Sequence, residues 1–469
     1  MIPMPLRDVA VLTDGSLHPV ERGGVVVDGP VVTDSREAGP GSLYVARVGE
    51  HADGHAYVGP ARDRGAVAAL TSRVIDELPC VVVDDVQTAF GRLARGVVDR
   101  ATGLTVVAVT GSSGKTSTKD LLAQVLRAAG ETVAPVNSLN GEIGVPLTVC
   151  RVTPATRFLV AEMGARGVGH LAYLTTIAPP DVAVVLNVGV AHVGEFGSKG
   201  AVAQAKGELV EALRPDGLAV LNADDPEVAK MRSRTQARVV TVGTRADADI
   251  RAADVRLDAL GHASFVVEVP NGGRAKVELQ LSGAHHVGNA LAVVATALEC
   301  GLGLDLVATA LSAARAASRW RMEIHERPDG VTVVNDAYNA NPDSMRAALE
   351  ALRSIGRAAQ PRRRTWAVLG EMLELGDLSR SEHQRVGGWA SALGVDRLLV
   401  VGERARPISD GAVGSTGGHT EVTVVNDADD AYELLQAHLR SGDVVLLKSS
   451  RDAGLRWLGD RLVGMEVPE

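Results

Sequence analysis

The sequence predicts an α/β protein of three domains, and three observations support this prediction. The chain has 469 residues, which at roughly 100–200 residues per domain leaves room for two to four domains. From Thr105 onwards, strands rich in Val, Leu and Ala alternate with helices, as in a parallel sheet buried on both faces. The same alternation begins again after Met322. We therefore predict domains at residues 1–104, 105–322 and 323–469.

The N-terminal region is predicted to be a small α/β domain. It reads as short strands and turns at 24–28, 41–48 and 81–83, with helices at 56–65 and 86–99. The central region is predicted to form a doubly wound, mostly parallel sheet. Its strands are expected at 105–110, 158–162, 182–187, 218–222 and 238–242, and its helices at about 115–129, 169–176, 199–213 and 287–301.

The C-terminal region repeats this alternation and is predicted to be a Rossmann-like α/β domain. Its strands are expected at 331–335, 365–369, 397–401 and 443–447, and its helices at 342–355, 380–393 and 427–440.

Composition narrows the class of protein. The hydrophobic share of 46% supports several packed cores, and the net charge of −9 argues against a nucleic-acid binder that neutralises phosphates. The sequence contains no run of about 18 apolar residues, so we predict no membrane span. The N-terminus reaches Asp8 and Asp14 too early for a signal peptide, and Cys80, Cys150 and Cys300 are too far apart for a disulfide framework. We expect a cytoplasmic enzyme.

Lysine is rare in this chain, because only seven of the 48 basic residues are lysines. Arginine serves wherever a plain positive charge suffices, so each lysine is a candidate for chemistry that needs an amine. Codon bias with random remaining lysines is the alternative explanation for any single position.

A phosphate-binding loop is predicted directly after the first central strand. The strand Val106–Thr110 is followed by a glycine-rich turn and an amphipathic helix, and the residues of the turn are Gly111, Ser112, Ser113, Gly114, Lys115, Thr116 and Ser117. Backbone N–H groups and the helix N-terminus can surround a phosphate. Lys115 would reach the β- and γ-phosphates, and the Thr116 hydroxyl would ligate Mg²⁺. The alternative is a glycine turn that merely starts a helix.

Polar residues at neighbouring strand ends predict a magnesium site. Glu162 ends one predicted strand, Asn187 ends the next, and His192 follows in a glycine-rich loop. Ligands of doubly wound sheets bind beyond the carboxyl ends of the strands. Mg²⁺ prefers oxygen ligands, so Glu162 is the better candidate and His192, which could be a structural histidine, the weaker one.

Two further features indicate chemistry. Lys206 lies in a predicted helix among Ala203, Ala205 and Gly207, which suggests close approach to another group, although a surface lysine is the alternative. The block Asp336–Pro342 follows a strand and opens a helix. Asn341 before a proline is suited to helix capping. Capping does not explain Asp336, Tyr338 and Asn339, which also lie in this block.

These motifs together resemble the Mur ligases of peptidoglycan synthesis. The shared blocks are Thr110–Thr116, Glu162–Gly164, Asn187 with His192, Lys206, and Asp336–Pro342 with Ser344. The last block, with residues 137–146 and 369–376, resembles the member that adds D-alanyl-D-alanine to UDP-N-acetylmuramoyl-tripeptide. Residues 33–36 and 53–55 resemble the family's domain for the UDP-sugar substrate. The resemblance runs through all three regions.

The resemblance implies an ATP-dependent amide ligase that works through an acyl phosphate and serves cell-wall biogenesis, cell shape and cell division. It implies ATP and Mg²⁺ as cofactors. We expect no nucleic-acid partner, because of the net charge, and we expect a monomer. The implied catalytic residues are Lys115, Glu162, His192 and Lys206, and the implied magnesium ligands are Thr116, Glu162, His192 and a carbamylated Lys206.

The remaining roles follow from the same resemblance. The implied ATP contacts are Gly111, Ser112, Ser113, Gly114, Lys115, Thr116, Ser117, Asn289, Arg321 and Asp336, with Lys448 near the reacting phosphate. The implied substrate contacts are Ser35, Arg36, Asn137, Asn140, Tyr338, Asn339 and Asn341. The C-terminal domain would bind the incoming dipeptide and close on ATP.

This sequence departs from the family pattern in two places. His286 stands where the family commonly has Asn, and Trp320 stands where a glycine usually precedes the arginine. Arg319 and Arg321 are therefore both candidates for the arginine near the nucleotide, and Met322-Glu323 downstream favours Arg321. A sister ligase, such as another Mur enzyme or a folylpolyglutamate synthetase, is the nearest alternative function. A phosphate-loop NTPase switch or kinase with a partner-binding third domain is the more distant alternative.

Overall fold

The computed structural model describes residues 1–49, 52–189, 196–414 and 420–466. In the N-terminal region five strands form one sheet in the order β2-β7-β6-β5-β4, and β1 and β3 form a separate two-stranded sheet. The elements are β1 (Met4–Pro5), α1 (Leu6–Thr13), β2 (Ser16–His18), β3 (Val26–Val27), β4 (Val31–Val32), β5 (Ser42–Val45), α2 (Val58–Asp63), β6 (Ala66–Thr71), β7 (Cys80–Val82) and α3 (Val86–Arg100).

The central region forms a sheet of nine described strands in the order β16-β15-β14-β13-β12-β11-β8-β10-β9. The strands from β9 to β14 in this order are parallel, and β15 is antiparallel to both of its neighbours, β14 and β16. The first elements are β8 (Thr105–Thr110), α4 (Lys115–Leu126), β9 (Glu131–Val133), α5 (Gly144–Val149), β10 (Thr156–Glu162), α6 (His170–Ile177), β11 (Val182–Val185) and α7 (Lys199–Glu211). The remaining elements are β12 (Leu218–Asn222), α8 (Pro226–Ala229), β13 (Arg238–Gly243), β14 (Ile250–Leu257), β15 (His262–Glu268), β16 (Arg274–Ser282), α9 (His286–Glu299) and α10 (Leu304–Ala313).

The C-terminal region forms a third sheet in the order β17-β18-β22-β19-β20-β21, in which only the β17–β18 pair is antiparallel among the described strands. Its elements are β17 (Glu323–Glu326), β18 (Thr332–Asn335), α11 (Pro342–Ala358), β19 (Thr365–Leu369), α12 (Ser379–Ala392), β20 (Arg397–Val401), α13 (Pro407–Val413), β21 (Glu421–Val425), α14 (Ala428–His438), β22 (Val444–Lys448) and α15 (Leu455–Leu462).

Alternating side chains of the central strands fill two separate cores. In β8, Val106 and Ala108 belong to one hydrophobic cluster, whereas Val107 and Val109 belong to the other. Successive side chains of a strand point to opposite faces, so a strand with helices on both faces must be apolar throughout. The first cluster also contains Phe90 of α3, so the N-terminal region shares a core with the central one.

The predicted fold class is confirmed, and the central and C-terminal elements predicted from sequence lie within a few residues of the observed ones. The three antiparallel strands β14 to β16 and the helix α10 were not predicted. Two N-terminal strands are shorter than predicted, and β11 ends at Val185 instead of residue 187. The domain boundaries near 104 and 322 stay predictions. No helix in the described ranges is long and apolar enough to cross a bilayer.

Candidate active site

The glycine-rich turn between β8 and α4 forms a backbone cradle at the carboxyl edge of the central sheet. Gly114 adopts φ +80°, and a Cβ there would lie 2.7 Å from Asn289 Oδ1. Both facts require glycine at this position. Asn187, after the neighbouring β11, accepts a hydrogen bond from Ser113 N at 2.9 Å, and its backbone oxygen accepts one from Ser112 N at 3.1 Å. The turn is therefore held in shape before any ligand arrives.

Lys115 begins α4 and folds back over this turn. Its Nζ donates to Gly111 O at 2.7 Å, and the side chain is half-buried. Burial lowers the pKa of Lys115, while the nearby Glu162 carboxylate opposes that shift. The ammonium is thus partly desolvated beside a row of N–H groups, which is a suitable place for a polyphosphate.

Glu162 lies at the end of β10, directly beside Val109 of β8 in the parallel register. Its Oε1 accepts hydrogen bonds from Asn140 Nδ2 at 2.8 Å and from Thr116 Oγ1 at 3.3 Å. Its Oε2 is buried and has no hydrogen-bond partner in the part of the chain that the structure describes. An unpartnered buried carboxylate oxygen beside a hydroxyl fits a hard divalent cation, so these residues suit Mg²⁺.

Lys206 lies on α7 and is only 4% exposed. Burial lowers its pKa well below the usual value, and the Lys115 charge adds to this effect. Lys206 lines the same cavity as Glu162 and Thr116. His192, its predicted companion, lies outside the described residues. Within the described ranges, no group of three His, Cys, Asp or Glu side chains is placed to hold a metal.

Arg321 enters the site from the linker between α10 and β17. Its Nη2 donates to Ser138 Oγ at 3.1 Å and to Thr116 Oγ1 at 3.3 Å, and its guanidinium lies 4.3 Å from the centroid of the Tyr338 ring. Arg319 instead pairs with Asp460 at 2.9 Å. The structure thus assigns Arg321, and not Arg319, to the cavity. Trp320 adopts φ +58°, the conformation that glycine favours.

The C-terminal domain closes the opposite side of the cavity. Lys448 at the end of β22 donates to Asp336 Oδ2 at 2.6 Å and to Asn339 O at 3.0 Å. Burial lowers the pKa of Lys448, and the Asp336 carboxylate opposes the shift. Asn341 caps α11 by accepting from Ser344 N at 2.9 Å, and its Nδ2 donates to Ser112 O at 3.4 Å across the two domains.

A single cavity of about 390 Å³ joins these two sides. We call residues 111–117 the phosphate-loop wall, and Asp336, Tyr338, Asn341 and Lys448 the C-terminal wall. The predicted site residues that line the cavity are Ser112, Ser113, Gly114, Lys115, Thr116, Ser117, Asn140, Glu162, Lys206, Asn289, Arg321, Asp336, Tyr338, Asn339 and Asn341.

Three predicted substrate contacts do not line this cavity. Ser35 and Arg36 lie in the N-terminal region, where Asp34 binds the Arg36 guanidinium at 2.6 Å. That guanidinium holds the pKa of Asp34 at about 2. Asn137 is exposed with φ +54°. Their predicted roles are not tested by this geometry.

Sequence reasoning did not single out two of the residues that complete the site. Ser138 bridges Thr116 and Arg321, at 2.8 Å from the threonine hydroxyl. Glu374, from the loop after β19, lines the cavity. Both lie in blocks that the resemblance included, but no spacing rule distinguishes them from their neighbours. His286 is buried with a strongly lowered pKa, because of desolvation, and its Nδ1 lies 3.4 Å from Asn289 Nδ2.

Family models cover most of the central and C-terminal regions. Residues 109–297 match the Mur ligase middle domain, and residues 320–451 match the Mur ligase glutamate ligase domain. Among named relatives, the UDP-N-acetylmuramoyl-tripeptide--D-alanyl-D-alanine ligase of Mycobacterium bovis is 45% identical, with 99% of this chain and 98% of the relative covered. The Escherichia coli protein of the same name is 36% identical, with 87% and 88% covered.

Solved structures agree with these matches. The crystal structure of MurF from Acinetobacter baumannii superposes with a TM-score of 0.88 at 30% identity, covering 98% of this chain and 99% of that one. The crystal structure of MurF ligase from Thermotoga maritima in complex with ADP gives a TM-score of 0.78 at 28% identity, covering 93% and 98%.

Proposed function

We propose one defined ligation for this chain, which belongs to the Mur ligase family. The enzyme uses ATP to join D-alanyl-D-alanine to UDP-N-acetylmuramoyl-tripeptide, and the product is the UDP-muramoyl-pentapeptide precursor of peptidoglycan. Named relatives of nearly full length carry this activity in their names. The single observation that carries the proposal is the shared cavity, in which a phosphate loop from one domain faces a polar wall from another.

The reaction proceeds through an acyl phosphate, as in Mur ligases generally. The γ-phosphoryl group of ATP passes to the terminal carboxylate of the tripeptide, and ADP is released. The amine of D-alanyl-D-alanine then attacks the carbonyl carbon. The C–N bond forms, the amine loses a proton, and inorganic phosphate leaves.

The residues of the phosphate-loop wall are proposed to hold ATP. The backbone N–H groups of the turn, kept open by Gly114 and Asn187, surround the phosphates. Lys115 exchanges its contact with Gly111 O for the phosphate oxygens. Its ammonium then stabilises the negative charge that develops on these oxygens during phosphoryl transfer. Arg321 places a second positive charge beside Thr116. Asn289 and Asp336 are proposed to contact the nucleotide further from the reacting phosphate.

Thr116 and Glu162 are proposed to hold Mg²⁺, whose charge offsets that of the phosphates. Lys206 is proposed to carry a carbamate and, with His192, to supply ligands for a second Mg²⁺. The carbamate forms when the neutral amine adds to CO₂ and releases a proton. Burial favours this chemistry because it lowers the pKa of Lys206 and so increases the neutral fraction.

The two substrates are proposed to approach from different domains. Ser35, Arg36 and Asn137 are proposed to contact the UDP-sugar substrate, and Asn140 its peptide. Tyr338, Asn339 and Asn341 are proposed to contact the incoming dipeptide. One chain supplies both walls of the cavity, so a monomer is sufficient for the reaction, which we place in the cytoplasm.

A phosphate-release assay tests the proposal. Purified enzyme is given ATP, Mg²⁺ and UDP-N-acetylmuramoyl-tripeptide, and D-alanyl-D-alanine is added last. We expect release only when all components are present, together with a product heavier by one dipeptide. Stimulation by D-glutamate, diaminopimelate or L-glutamate instead would indicate a sister ligase. Release without any amine would indicate an NTPase and would contradict the proposal.

A further inference from the structure

The interdomain linker runs along one face of α4, the helix that follows the phosphate loop. Thr116, Asp120 and Gln124 are spaced four residues apart on this helix, which places them on one face. Arg321, Ser318 and Arg315 of the linker contact them in that order. The linker therefore runs antiparallel to α4, and three linker residues span each helical step of four.

Two of these contacts hold the linker by its backbone. Gln124 Nε2 donates to Arg315 O at 2.9 Å, and Gln124 Oε1 accepts from Arg315 N at 3.1 Å. Asp120 Oδ2 accepts from Ser318 N at 3.1 Å. Because backbone atoms are engaged, these contacts fix which linker residue lies opposite which helical turn.

Lys119 connects the contacts between the linker and α4 to the loop that carries Ser138, the second hydrogen-bond partner of Arg321. Its buried Nζ pairs with Asp120 Oδ1 and donates to Pro135 O at 3.0 Å. Pro135 leads into the loop that carries Ser138, whose hydroxyl contacts Arg321. A buried ion pair is weak support for stability in itself, whereas fixing a register is an attested use of one. One pair thus anchors both the linker and the loop that Arg321 touches.

The linker is also held on the C-terminal side of Arg321. Trp320 and Met322, which flank it, have φ values of +58° and +52°. Bulky residues rarely adopt this conformation unless their surroundings impose it. Trp320 N donates to Glu323 Oε2 at 2.9 Å, and Met322 N donates to Asp336 Oδ1 at 3.1 Å. Arg321 thus lies between two fixed segments.

We infer that Asp120 and Gln124 are positioning residues: they set the register of the linker along α4 and thereby place the Arg321 guanidinium at the phosphate loop. The inference rests on the proposed function, since it concerns turnover by that site. Neither side chain lines the cavity. We therefore expect their effect on turnover to pass through Arg321, which Arg315 and Ser318 precede in the linker.

Gln124→Met is the primary test because Gln124 is only half-buried and the change leaves no buried charge unpaired. We expect kcat to fall about tenfold with the thermal unfolding temperature unchanged, as small misplacements of a reacting group are costly. Hydrogen exchange at the Arg315 amide should become faster. Asp120→Asn should act in the same direction. Arg127→Met, an exposed change one turn further along the chain, is the matched control and should leave kcat unchanged.

A double-mutant cycle decides whether the effect passes through Arg321. Arg321→Lys retains a charge but loses the guanidinium that reaches both Ser138 and Thr116. We expect Gln124→Met to reduce kcat less than about twofold in that background, because coupled residues are non-additive. An equal loss in both backgrounds, or no loss in the wild type, would overturn the inference. Failure of the wild type to respond to D-alanyl-D-alanine would instead contradict the proposed function.

Discussion

The two walls of the cavity are built in opposite ways. The phosphate-loop wall consists of seven consecutive residues, so its parts are near neighbours in the chain. The C-terminal wall depends on side chains far apart in sequence, since Asp336 and Lys448 are separated by 112 positions. On the phosphate-loop wall, Lys115 has no carboxylate at hydrogen-bond distance among the described residues. On the C-terminal wall, Lys448 forms an ion pair with Asp336.

This difference indicates that the lysines of the two walls have different roles. The Lys115 ammonium donates to a single carbonyl oxygen and can exchange that hydrogen bond for one to a ligand. Lys448 is 2% exposed at its side chain and is bound to Asp336, so it helps to hold the C-terminal domain together. Replacing Lys115 and replacing Lys448 should therefore have different effects on turnover and on stability.

The largest effect should come from Lys448→Met, which leaves Asp336 buried without its partner. Breaking a buried pair in this way costs about 3–5 kcal/mol of the free energy of unfolding. Denaturant unfolding measures the loss. Lys230→Met is the matched control, because Lys230 is 70% exposed and pairs with Glu227 at the surface. It should change stability by less than about 1 kcal/mol. Equal effects of the two changes would contradict the comparison.

Lys115→Ala should affect turnover without affecting folding. Loss of an electrostatic contact to the transition state costs about 3–4 kcal/mol, or about 10²–10³ in rate. The unfolding temperature should not fall, because burial already disfavours the charged form of Lys115. The phosphate-release assay and thermal unfolding measure the two quantities on the same sample. Near-normal turnover in a folded variant would show that this lysine has no role in transfer.

Lys206→Arg tests the proposed carbamate on the central side. Arginine keeps the positive charge but does not form a stable carbamate, so turnover at limiting Mg²⁺ should fall about 10- to 100-fold, as for other lost metal interactions. Wild-type turnover should rise when bicarbonate is added to a CO₂-depleted solution. Lys230→Arg serves as the control, and a surface change of this kind is usually within about 0.5 kcal/mol of neutral. If both variants match the wild type, Lys206 is a structural lysine.

Glu162→Gln should raise the Mg²⁺ concentration required for half-maximal turnover by about tenfold. The amide keeps the hydrogen-bond geometry but removes the negative charge of the unpartnered oxygen. Mg²⁺ titrations of the variant and of Glu227→Gln, a surface control, provide the measurement. An unchanged titration curve would remove Glu162 from the metal site.

The smallest expected effect concerns His383, which contacts the backbone of Met372 in the C-terminal domain. Its Nε2 accepts from Met372 N at 2.9 Å, and Nδ1 donates to Ser379 O at 2.7 Å. Burial lowers the pKa of His383, so the unfolded chain, with a pKa near about 6.5, binds the proton more readily than the folded one. Stability from this group is complete above that pH and is lost as the pH falls through it.

Between about pH 7.5 and pH 5.5, the wild type should therefore lose local stability around His383 as the pH falls. Hydrogen exchange at the Met372 amide, corrected for intrinsic rates, measures this loss. The His383→Gln variant lacks the titrating group and should show a flatter pH dependence. The same slope in both proteins would assign the effect to another residue.

The contrast between the walls also explains what the sequence could predict. Gly111, Gly114 and Lys115 were found because a phosphate loop is a local pattern with a known spacing. The strands β8, β10, β11, β12 and β13 were found because runs of Val, Leu and Ala are typical of strands buried in a parallel sheet, whereas the short β9 was not predicted. Each of these features depends on residues that are near neighbours in the chain.

Features that depend on distant residues were not predictable in this way. The role of Ser138 depends on Arg321, which lies 183 positions away in the chain. The strands β14 to β16 are partly exposed and carry charged residues, so they lack the continuous apolar runs by which the other central strands were predicted. Asp336 and Tyr338 were singled out because helix capping does not explain them, but only the family resemblance gave them roles.

The pairing of the linker with α4 has a consequence for changes in chain length. A substitution at Ser318 leaves its backbone N–H in place for Asp120, so the composition of the linker can vary. An inserted or deleted residue between Arg315 and Arg321 would move the guanidinium by about 3.3 Å, the length of one extended residue. Libraries of variants should therefore accept many substitutions in this segment and almost no insertions or deletions. The contacts with α4 therefore constrain the length of the segment more strongly than its amino-acid composition.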